Sequence, residues 1–181
     1  MRSENKIEIL LYRRHRSHNA PNMLTSKTFN RVFHVVKNNA DGNCLFEAIE
    51  YLIDGSLYTL DHGFVSAASI RQMVGNFYRD FDKNIDYPEK TIEHNIKLGN
   101  IFDNFDEEMQ HDYNIWNDKV WASMTDVLIC SVLFEVNIDL WKYSRETDTY
   151  HVEKIRSQYD FPETVQLLYN GVDHFEALQG V

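Results

Sequence analysis

The sequence contains few cysteines and no long apolar run, and both absences exclude classes of protein. Only Cys44 and Cys130 occur in 181 residues, which is too few for a disulfide framework or a cysteine-based zinc site. No apolar run approaches the roughly 18 residues of a membrane span. The N-terminus, M-R-S-E-N-K-I-E, lacks the apolar core of a signal peptide. We therefore expect a cytoplasmic protein without a metal site and without membrane association.

Basic residues are scarce as well. Lys and Arg number 18 against 28 Asp and Glu, which gives a formal net charge of −10. Nucleic-acid binding depends on basic surface, so nucleic acid is not an expected partner. The acidic excess is compatible with a protein partner that carries a basic surface. Hydrophobic residues make up 43% of the sequence, which indicates one globular domain over residues 1–181, and we expect a monomer.

The most informative stretch is Asp41 to Glu50, D-G-N-C-L-F-E-A-I-E. Asp41-Gly42 is typical of a turn, and the apolar residues after Cys44 recur at helical spacing until Gly55. A cysteine in the first turn of a helix lies near unpaired N–H groups and the positive end of the helix dipole, which favour the thiolate. Cys44 is therefore a candidate nucleophile, although a cysteine in an apolar helix is more often structural.

The remaining patterns predict helices first and strands later. We expect a helix that begins at Ser66 or Ser69, and another that begins at Ser123 with Asp126 completing a capping box and Cys130 in the core. Thr28–Val36 is interpreted as a short helix or entry segment, and Leu57–Gly63 as a connection. Further elements are predicted as a strand over 5–12, helices over 89–97 and 105–113, and strands over 137–143, 150–155, 164–169 and 174–178. Helices followed by antiparallel strands indicate an α+β fold.

His174 and Glu176 form the second candidate group. His174 opens the last predicted strand, directly after the turn signal Asn170-Gly171. An imidazole can accept the proton of a thiol and later deliver it to a leaving amine. Alternate residues of a strand face the same way, so Glu176 can orient His174 as the third member of a triad. Taken alone, the pair also fits a surface histidine and glutamate without a catalytic role.

Three blocks together resemble the ovarian-tumour (OTU) family of deubiquitinating cysteine proteases. D-G-N-C-L-F resembles the cysteine motif of that family, and Trp121-Ala122-Ser123 followed by an apolar helix and N-I-D-L-W is similar to its middle block. The stretch V-Q-L-L-Y-N-G-V-D-H-F-E-A-L resembles its histidine block, and Ile70-Arg71 resembles part of its second helix. The resemblance extends over about residues 33–178.

The resemblance implies a papain-like OTU fold with a small, mainly antiparallel sheet packed between helices. It assigns Cys44 as nucleophile, His174 as general base and Asp41 as the loop aspartate, with the backbone N–H groups of Asp41 and Cys44 as the oxyanion hole. It implies no metal and no cofactor. The implied reaction is hydrolysis of the bond after the C-terminal Gly-Gly of ubiquitin through an acyl-enzyme on Cys44.

The resemblance also suggests four residues that bind the substrate: Gly42, Asn43, Trp121 and Phe175. Trp121 is expected either to flank the active-site channel or to pack near His174, and packing is the favoured interpretation. The implied partner is ubiquitin or a polyubiquitin chain.

The sequence departs from the family pattern at two positions. Glu176 stands where Asn or Asp is usual, and Ala122 stands where Gly is common. Three alternatives remain open: an inactive module that binds ubiquitin chains, a protease for a ubiquitin-like modifier, and a protease for a polyprotein. The compact chain is similar to stand-alone viral members, which suggests the host cytoplasm and immune evasion.

Overall fold

The computed structural model describes residues 23–26, 31–80, 115, 120–156 and 161–181. The predicted strand over 5–12 and the predicted helices over 89–97 and 105–113 lie outside the described residues. Within them, the strands are β1 (Met23–Ser26), β2 (Arg31–Val36), β3 (Val136–Ser144), β4 (Thr149–Ile155), β5 (Glu163–Tyr169) and β6 (Phe175–Gly180). The helices are α1 (Cys44–Ile53), α2 (Leu57–His62), α3 (Ala67–Asp80) and α4 (Met124–Leu133).

The six strands form one sheet in the order β1-β2-β6-β5-β3-β4. Every neighbouring pair is antiparallel except β3 and β5, which run parallel. The predicted α+β class with a mainly antiparallel sheet is confirmed. The order matters for the site because β6 pairs with β2 on one side and with β5 on the other. His174, directly before β6, therefore lies at the end of a central strand and not at an edge of the sheet.

The main core lies between the sheet and the helices. Helix α1 contributes Leu45, Phe46, Ile49 and Ile53 to it, and each of these side chains is 0% exposed. Full burial of such a side chain contributes about 1.5–3 kcal/mol. Helix α1 packs against both β6 and α3. The orientation of the residue that begins α1 is thus fixed by an apolar helix held on two sides.

The predicted ends of the helices are largely confirmed. Helix α1 begins at Cys44, and Gly55, just past its end, adopts a φ of +75° that favours glycine. The capping box before α4 is formed, since the Ser123 N–H donates to Asp126 Oδ2 at 2.6 Å. Cys130 lies in the core at 0% exposure, and burial, together with the charge of Asp126, raises the pKa of its thiol well above the usual value.

The helical interpretation of Thr28–Val36 is wrong, because residues 31–36 form strand β2. Phe33 and Val35 are buried whereas His34 between them is exposed, which is the two-residue alternation of a strand. Val36 is also partly buried. The apolar residues of this stretch therefore stand three and four positions apart, and this spacing imitated the period of a helix.

The interpretation of Leu57–Gly63 as a connection is also wrong. Residues 57–62 form the short helix α2, and the Ser56 hydroxyl accepts a hydrogen bond from the Thr59 N–H at 3.3 Å. A serine N-cap of this kind is a start signal that the sequence contained. None of the helices within the described residues is long and apolar enough to cross a membrane.

Candidate active site

The turn before α1 is organised by an aspartate. The carboxylate of Asp41 accepts a hydrogen bond from the Asn43 N–H at 2.9 Å, and its carbonyl accepts one from the Cys44 N–H at 3.3 Å. Aspartate commonly closes a turn in this way, by bonding the backbone two residues on. The turn makes Cys44 the first residue of α1, as the sequence predicted. The thiol is thereby presented at the positive end of the helix.

Arg71, on helix α3, holds this turn in place through hydrogen bonds, and we call this set of contacts the clamp. Its guanidinium donates to the Gly42 carbonyl and, at 3.0 Å, to Asn43 Oδ1. It also donates to the carbonyls of Ile115 and Val120 at 2.7 and 3.1 Å. Arg71 is only 3% exposed, and its guanidinium carbon lies 4.5 Å from the centre of the Phe46 ring. One buried cation therefore joins the turn to α3 and to the segment before α4.

Little in the sequence predicted these contacts of Arg71. Arg71 follows a buried isoleucine on α3, and an arginine in a helix is ordinarily a solvated surface residue. Only the resemblance of Ile70-Arg71 to the family's second helix pointed to the position. The contacts span 28 residues or more of the sequence, so no local pattern could have revealed them.

The turn before β6 is closed by Asn170. Its Oδ1 accepts hydrogen bonds from the N–H groups of Val172, Asp173 and His174 at 2.9, 2.9 and 3.0 Å. Gly171 has a φ of +81°, and a Cβ there would overlap the carbonyl oxygen of Tyr143. The predicted Asn-Gly turn thus depends on both residue types, and it sets the backbone of His174.

The two turns bring Cys44 and His174 together. The Cys44 sulfur lies 3.8 Å from the carbonyl oxygen of Asp173, the residue before His174. The neighbouring Cys44 side chain is the largest cause that raises the pKa of His174 to about 9, Glu176 is the second, and burial opposes both. Among the described residues, His174 Nδ1 has no hydrogen-bond partner of standard geometry. Since Nε2 faces Glu176, Nδ1 is the nitrogen left for the thiol.

Glu176, in β6, lies behind the imidazole, two residues after His174. Its Oε1 is 3.7 Å from His174 Nε2 and 3.2 Å from Lys37 Nζ, and its side chain is only 6% exposed. Burial by itself raises the pKa of Glu176, but the neighbouring His174 imidazole and the charge of Lys37 outweigh it and leave the pKa below its usual value. The carboxylate is therefore ionised beside the imidazole at neutral pH.

Asn38 links the two halves of the site. Its Nδ2 donates to the Cys44 carbonyl at 2.7 Å and to the Phe175 carbonyl at 3.0 Å. One side chain thus fastens the first residue of α1 to the first residue of β6. The sequence analysis did not identify Asn38 and Lys37, because two polar residues after a strand are common and do not by themselves indicate a function.

The four residues expected on the substrate side differ in their surroundings. Gly42 is buried and Asn43 is half-buried under Arg71. Phe175 is 1% exposed and stacks on Tyr169 with ring centres 4.6 Å apart, so its side chain fills the core and offers no surface to a substrate. Trp121 is 40% exposed and follows Val120, whose carbonyl Arg71 binds. An exposed indole fits the flanking role better than the packed role that the sequence favoured.

The thiol itself is covered in this structure. Cys44 is 1% exposed, so the turns around it must open for a substrate carbonyl to reach the sulfur. Two surface grooves of about 650 and 670 Å³ flank α1, and neither is lined by Cys44 or His174. Within the described part of the chain, no group of three His, Cys, Asp or Glu side chains is placed to hold a metal ion.

A thiol at a helix N-terminus, an imidazole against it and a carboxylate behind the imidazole can perform nucleophilic catalysis on a carbonyl. Comparison with known proteins agrees with this chemistry. Residues 39–175 match the OTU family, whose description is OTU-like cysteine protease. A search of curated proteins found none that matches this chain.

Several solved structures share the fold. An OTU domain in complex with ubiquitin aligns with a TM-score of 0.55 and 19% identity, over 87% of this chain and 76% of that one. The viral OTU protease from Dera Ghazi Khan virus aligns with a TM-score of 0.52 and 16% identity, over 99% and 98%. An OTU deubiquitinase from Wolbachia pipientis wMel aligns with a TM-score of 0.51 and 17% identity, over 81% and 88%. The chain has the OTU fold and belongs to the family of OTU-like cysteine proteases.

Proposed function

We propose that this protein is a thiol-dependent deubiquitinase that hydrolyses the bond after the C-terminal Gly-Gly of ubiquitin. The observation that carries the proposal is the apposition of Cys44 and His174, with the thiol at the start of α1 and Glu176 behind the imidazole. Membership of the OTU family supplies the reaction class. The geometry of the site supplies a base for the Cys44 thiol and a carboxylate that orients the imidazole of this base.

In the first step, the proton that Cys44 and His174 share lies on the imidazole, and the Cys44 thiolate attacks the carbonyl carbon of the terminal glycine. The carbon–sulfur bond forms as the carbonyl π electrons move onto oxygen. The protonated imidazole then gives its proton to the leaving lysine amine, and the carbon–nitrogen bond breaks. The raised pKa of His174, about 9, keeps this proton on the imidazole at neutral pH.

The oxyanion requires N–H donors beside the sulfur. The Cys44 N–H is the donor expected from the family pattern, and here it bonds the Asp41 carbonyl at a long 3.3 Å. A long bond of this kind is weak, so the cost of exchanging it for the oxyanion is small. The same rearrangement of the 41–43 turn is expected to uncover the sulfur.

In the second step, His174 takes a proton from water and the resulting hydroxide attacks the thioester. Collapse of the tetrahedral species breaks the carbon–sulfur bond and releases the C-terminal carboxylic acid of ubiquitin, which loses its proton to solvent, and Cys44 is restored with the shared proton on His174. Glu176 stabilises the charged imidazole in both steps. No group beyond the side chains of this chain and one water is needed for the balance.

Ubiquitin as the partner is supported by the solved OTU domain in complex with ubiquitin, which shares the fold. We infer that Asn43 and the exposed Trp121 border the approach of the ubiquitin tail, since both lie around the clamp of Arg71. The proposal includes action in the cytoplasm, where a reducing environment keeps both cysteines as thiols.

The test uses ubiquitin that carries a thiol-reactive group at its C-terminus, incubated with the wild-type chain and with Cys44→Ala. We expect a stable adduct, one ubiquitin heavier by mass spectrometry, in the wild type only. Cys130→Ala is the matched control, because it removes the other thiol from the core, and it is expected to label normally. A wild-type chain that folds and stays unlabelled contradicts the proposal.

A second experiment distinguishes the open alternatives. The same electrophile is placed on ubiquitin-like modifiers, and a panel of differently linked di-ubiquitins is digested by wild type and Cys44→Ala. Cleavage of di-ubiquitin only by the wild type supports deubiquitination. Labelling by a modifier alone reassigns the substrate. Binding of chains without cleavage reassigns the protein as a binding module.

A further inference from the structure

Lys37 is paired with the third residue of the candidate triad across the sheet. Val36 of β2 stands opposite Ala177 of β6, so the next residue pair in this antiparallel register is Lys37 and Glu176. The distance from Lys37 Nζ to Glu176 Oε1 is 3.2 Å. The same oxygen faces His174 Nε2 at 3.7 Å. Lysine and imidazole therefore share one carboxylate oxygen.

The surroundings of Glu176 explain why a cation is needed there. Its side chain is 6% exposed, and a buried carboxylate stays ionised only when charges or hydrogen bonds replace the lost water. Among the residues that the structure describes, three titratable groups face it: Lys37 directly after β2, His174 directly before β6, and Tyr150 in β4. Tyr150, whose pKa is raised to about 12 chiefly by burial, is neutral at working pH.

Of these three groups, only Lys37 is a lasting cation. His174 gives up its proton during each turnover, and at that moment its charge no longer supports the carboxylate. Lys37 has no part in the proton transfers and remains charged throughout. Its side chain is 39% exposed, so the ammonium keeps part of its hydration while it reaches the buried oxygen.

The lysine is also held by its place in the chain. The residue before it ends β2, and the residue after it, Asn38, binds the carbonyls of Cys44 and Phe175. The backbone on both sides of Lys37 is therefore fixed to the two elements that form the site. A surface lysine on a loop lacks such restraints, and most exposed ion pairs contribute little for that reason.

We propose that Lys37 is a positioning residue that holds Glu176 ionised and directed at His174, and that it thereby sets the acid limit of activity. The inference rests on the proposed function for its catalytic readout. It also explains a departure from the family pattern. A glutamate in place of the usual Asn or Asp is longer and charged, and in this chain a lysine stands across the sheet to fix it.

The kinetic test compares wild type, Lys37→Met and Lys37→Arg on ubiquitin with a fluorogenic C-terminal leaving group, from pH 5 to pH 9. In Lys37→Met we expect the acid limb of kcat/KM to move up by about 1 pH unit, with a loss of about fivefold at pH 6 and little change at pH 8. The loss is expected in kcat more than in KM. Lys37→Arg is expected to restore the wild-type profile.

Lys154→Met is the matched control, because Lys154 is an exposed lysine on the same sheet, in β4. It is expected to leave the profile unchanged. In a Glu176→Gln background, Lys37→Met is expected to produce no further shift of the acid limb, since the carboxylate that Lys37 supports is gone. Additive effects, or an acid limb that does not move in Lys37→Met, would overturn the inference.

A measurement that needs no ubiquitin separates this inference from the proposed function. The carboxyl carbon of Glu176 is followed by NMR during a pH titration of the folded chain. Its pKa is expected to rise in Lys37→Met and to stay at the wild-type value in Lys154→Met. If this shift occurs and no ubiquitin substrate is cleaved, the proposed function fails while the pairing stands. An unchanged pKa rejects the role of Lys37 whatever the activity.

Discussion

The turn before Cys44 and the turn before His174 meet at one site, but they are held in different ways. Asn170 closes the histidine turn by itself, through three N–H groups within four residues of its own side chain. In the cysteine turn, Asp41 accepts one side-chain hydrogen bond from the local backbone. The rest of that turn is held by Arg71, which lies on another helix.

The difference teaches which half of the site depends on the whole fold. A turn closed by its own side chain forms with local contacts only. The cysteine turn reaches its geometry only when α3 and the segment before α4 have packed around Arg71. Mutations that separate these two modes of support should therefore affect the two turns unequally.

The largest effect is expected from removing the group that the cysteine turn presents. Cys44→Ala should lower kcat/KM by about 10³-fold or more, because no other group at the site can form the acyl-enzyme. Its free energy of unfolding should stay within about 1 kcal/mol of the wild type. Activity is measured on fluorogenic ubiquitin and stability by denaturant titration. Substantial residual turnover would indicate another nucleophile.

Arg71→Met tests the external clamp and should have the next largest effect. Loss of the guanidinium leaves the carbonyls of Gly42, Ile115 and Val120 without this donor, in a site where Arg71 is 3% exposed. We expect a loss of about 3–5 kcal/mol in stability and about 10²-fold in kcat/KM, because the thiol is displaced. Thermal unfolding and the activity assay measure the two losses.

Gln72→Met is the control for that prediction, since it places the same side chain at the next, exposed position of α3. It should leave stability and activity near the wild-type values. Equal effects at positions 71 and 72 would mean that the helix, and not the clamp, supports the cysteine turn.

Asn170→Ala tests the histidine turn and should have a smaller effect. Three N–H groups lose their acceptor, but the turn is near solvent and water can replace part of the loss. We expect about 1 kcal/mol of destabilisation and a fall in kcat/KM of about tenfold or less. Asn170→Asp keeps the acceptor oxygen but sets a carboxylate beside Asp173, so its loss should be intermediate. A greater loss than in Arg71→Met would reverse the comparison of the two turns.

The smallest expected effect is on the pH dependence of stability, which tests the contact between the two turns. The folded-state pKa of His174 is about 9, above its usual 6.5. The stability that its charged form contributes is therefore fully present below about pH 6.5 and is lost as pH rises through 9. The pKa of Glu176 is lowered, so its contribution is present above its usual 4.5 and is lost in acid.

Melting temperatures between pH 6 and pH 10 measure the histidine contribution. In Cys44→Ala the alkaline loss should be smaller and complete at a lower pH, because the largest cause of the raised pKa of His174 has been removed. Identical curves for the two proteins would mean that the thiol and the imidazole do not interact.

Where the sequence could predict the structure, the signal was local. Three kinds of feature depend only on contacts within a few residues of the chain: the Asn-Gly turn, the capping box at Ser123, and strands in which apolar and polar residues alternate. The predicted strands over 137–143, 150–155 and 164–169 are confirmed within one residue at each end in β3, β4 and β5. The cysteine and histidine motifs were recognised because their residue types are rare together.

Tertiary contacts determine the features that were predicted wrongly or not predicted at all. Residues 31–36 became a strand because β6, about 140 residues later, offers a partner. Lys37, Asn38 and Arg71 act on atoms far away in sequence, and each is an ordinary polar residue in its local context. A pattern of neighbours cannot report what such a side chain will touch.

The place of β6 between β2 and β5 has a consequence for biosynthesis. During synthesis, residue 44 leaves the ribosome long before residues 175–180 have been made. Strand β2 therefore cannot pair with β6, its neighbour on the central side of the sheet, until the end of the chain is complete. Pairings of such separation form slowly. A nascent or truncated chain therefore carries the proposed nucleophile without the proposed base, and the proposed activity requires the insertion of one late strand.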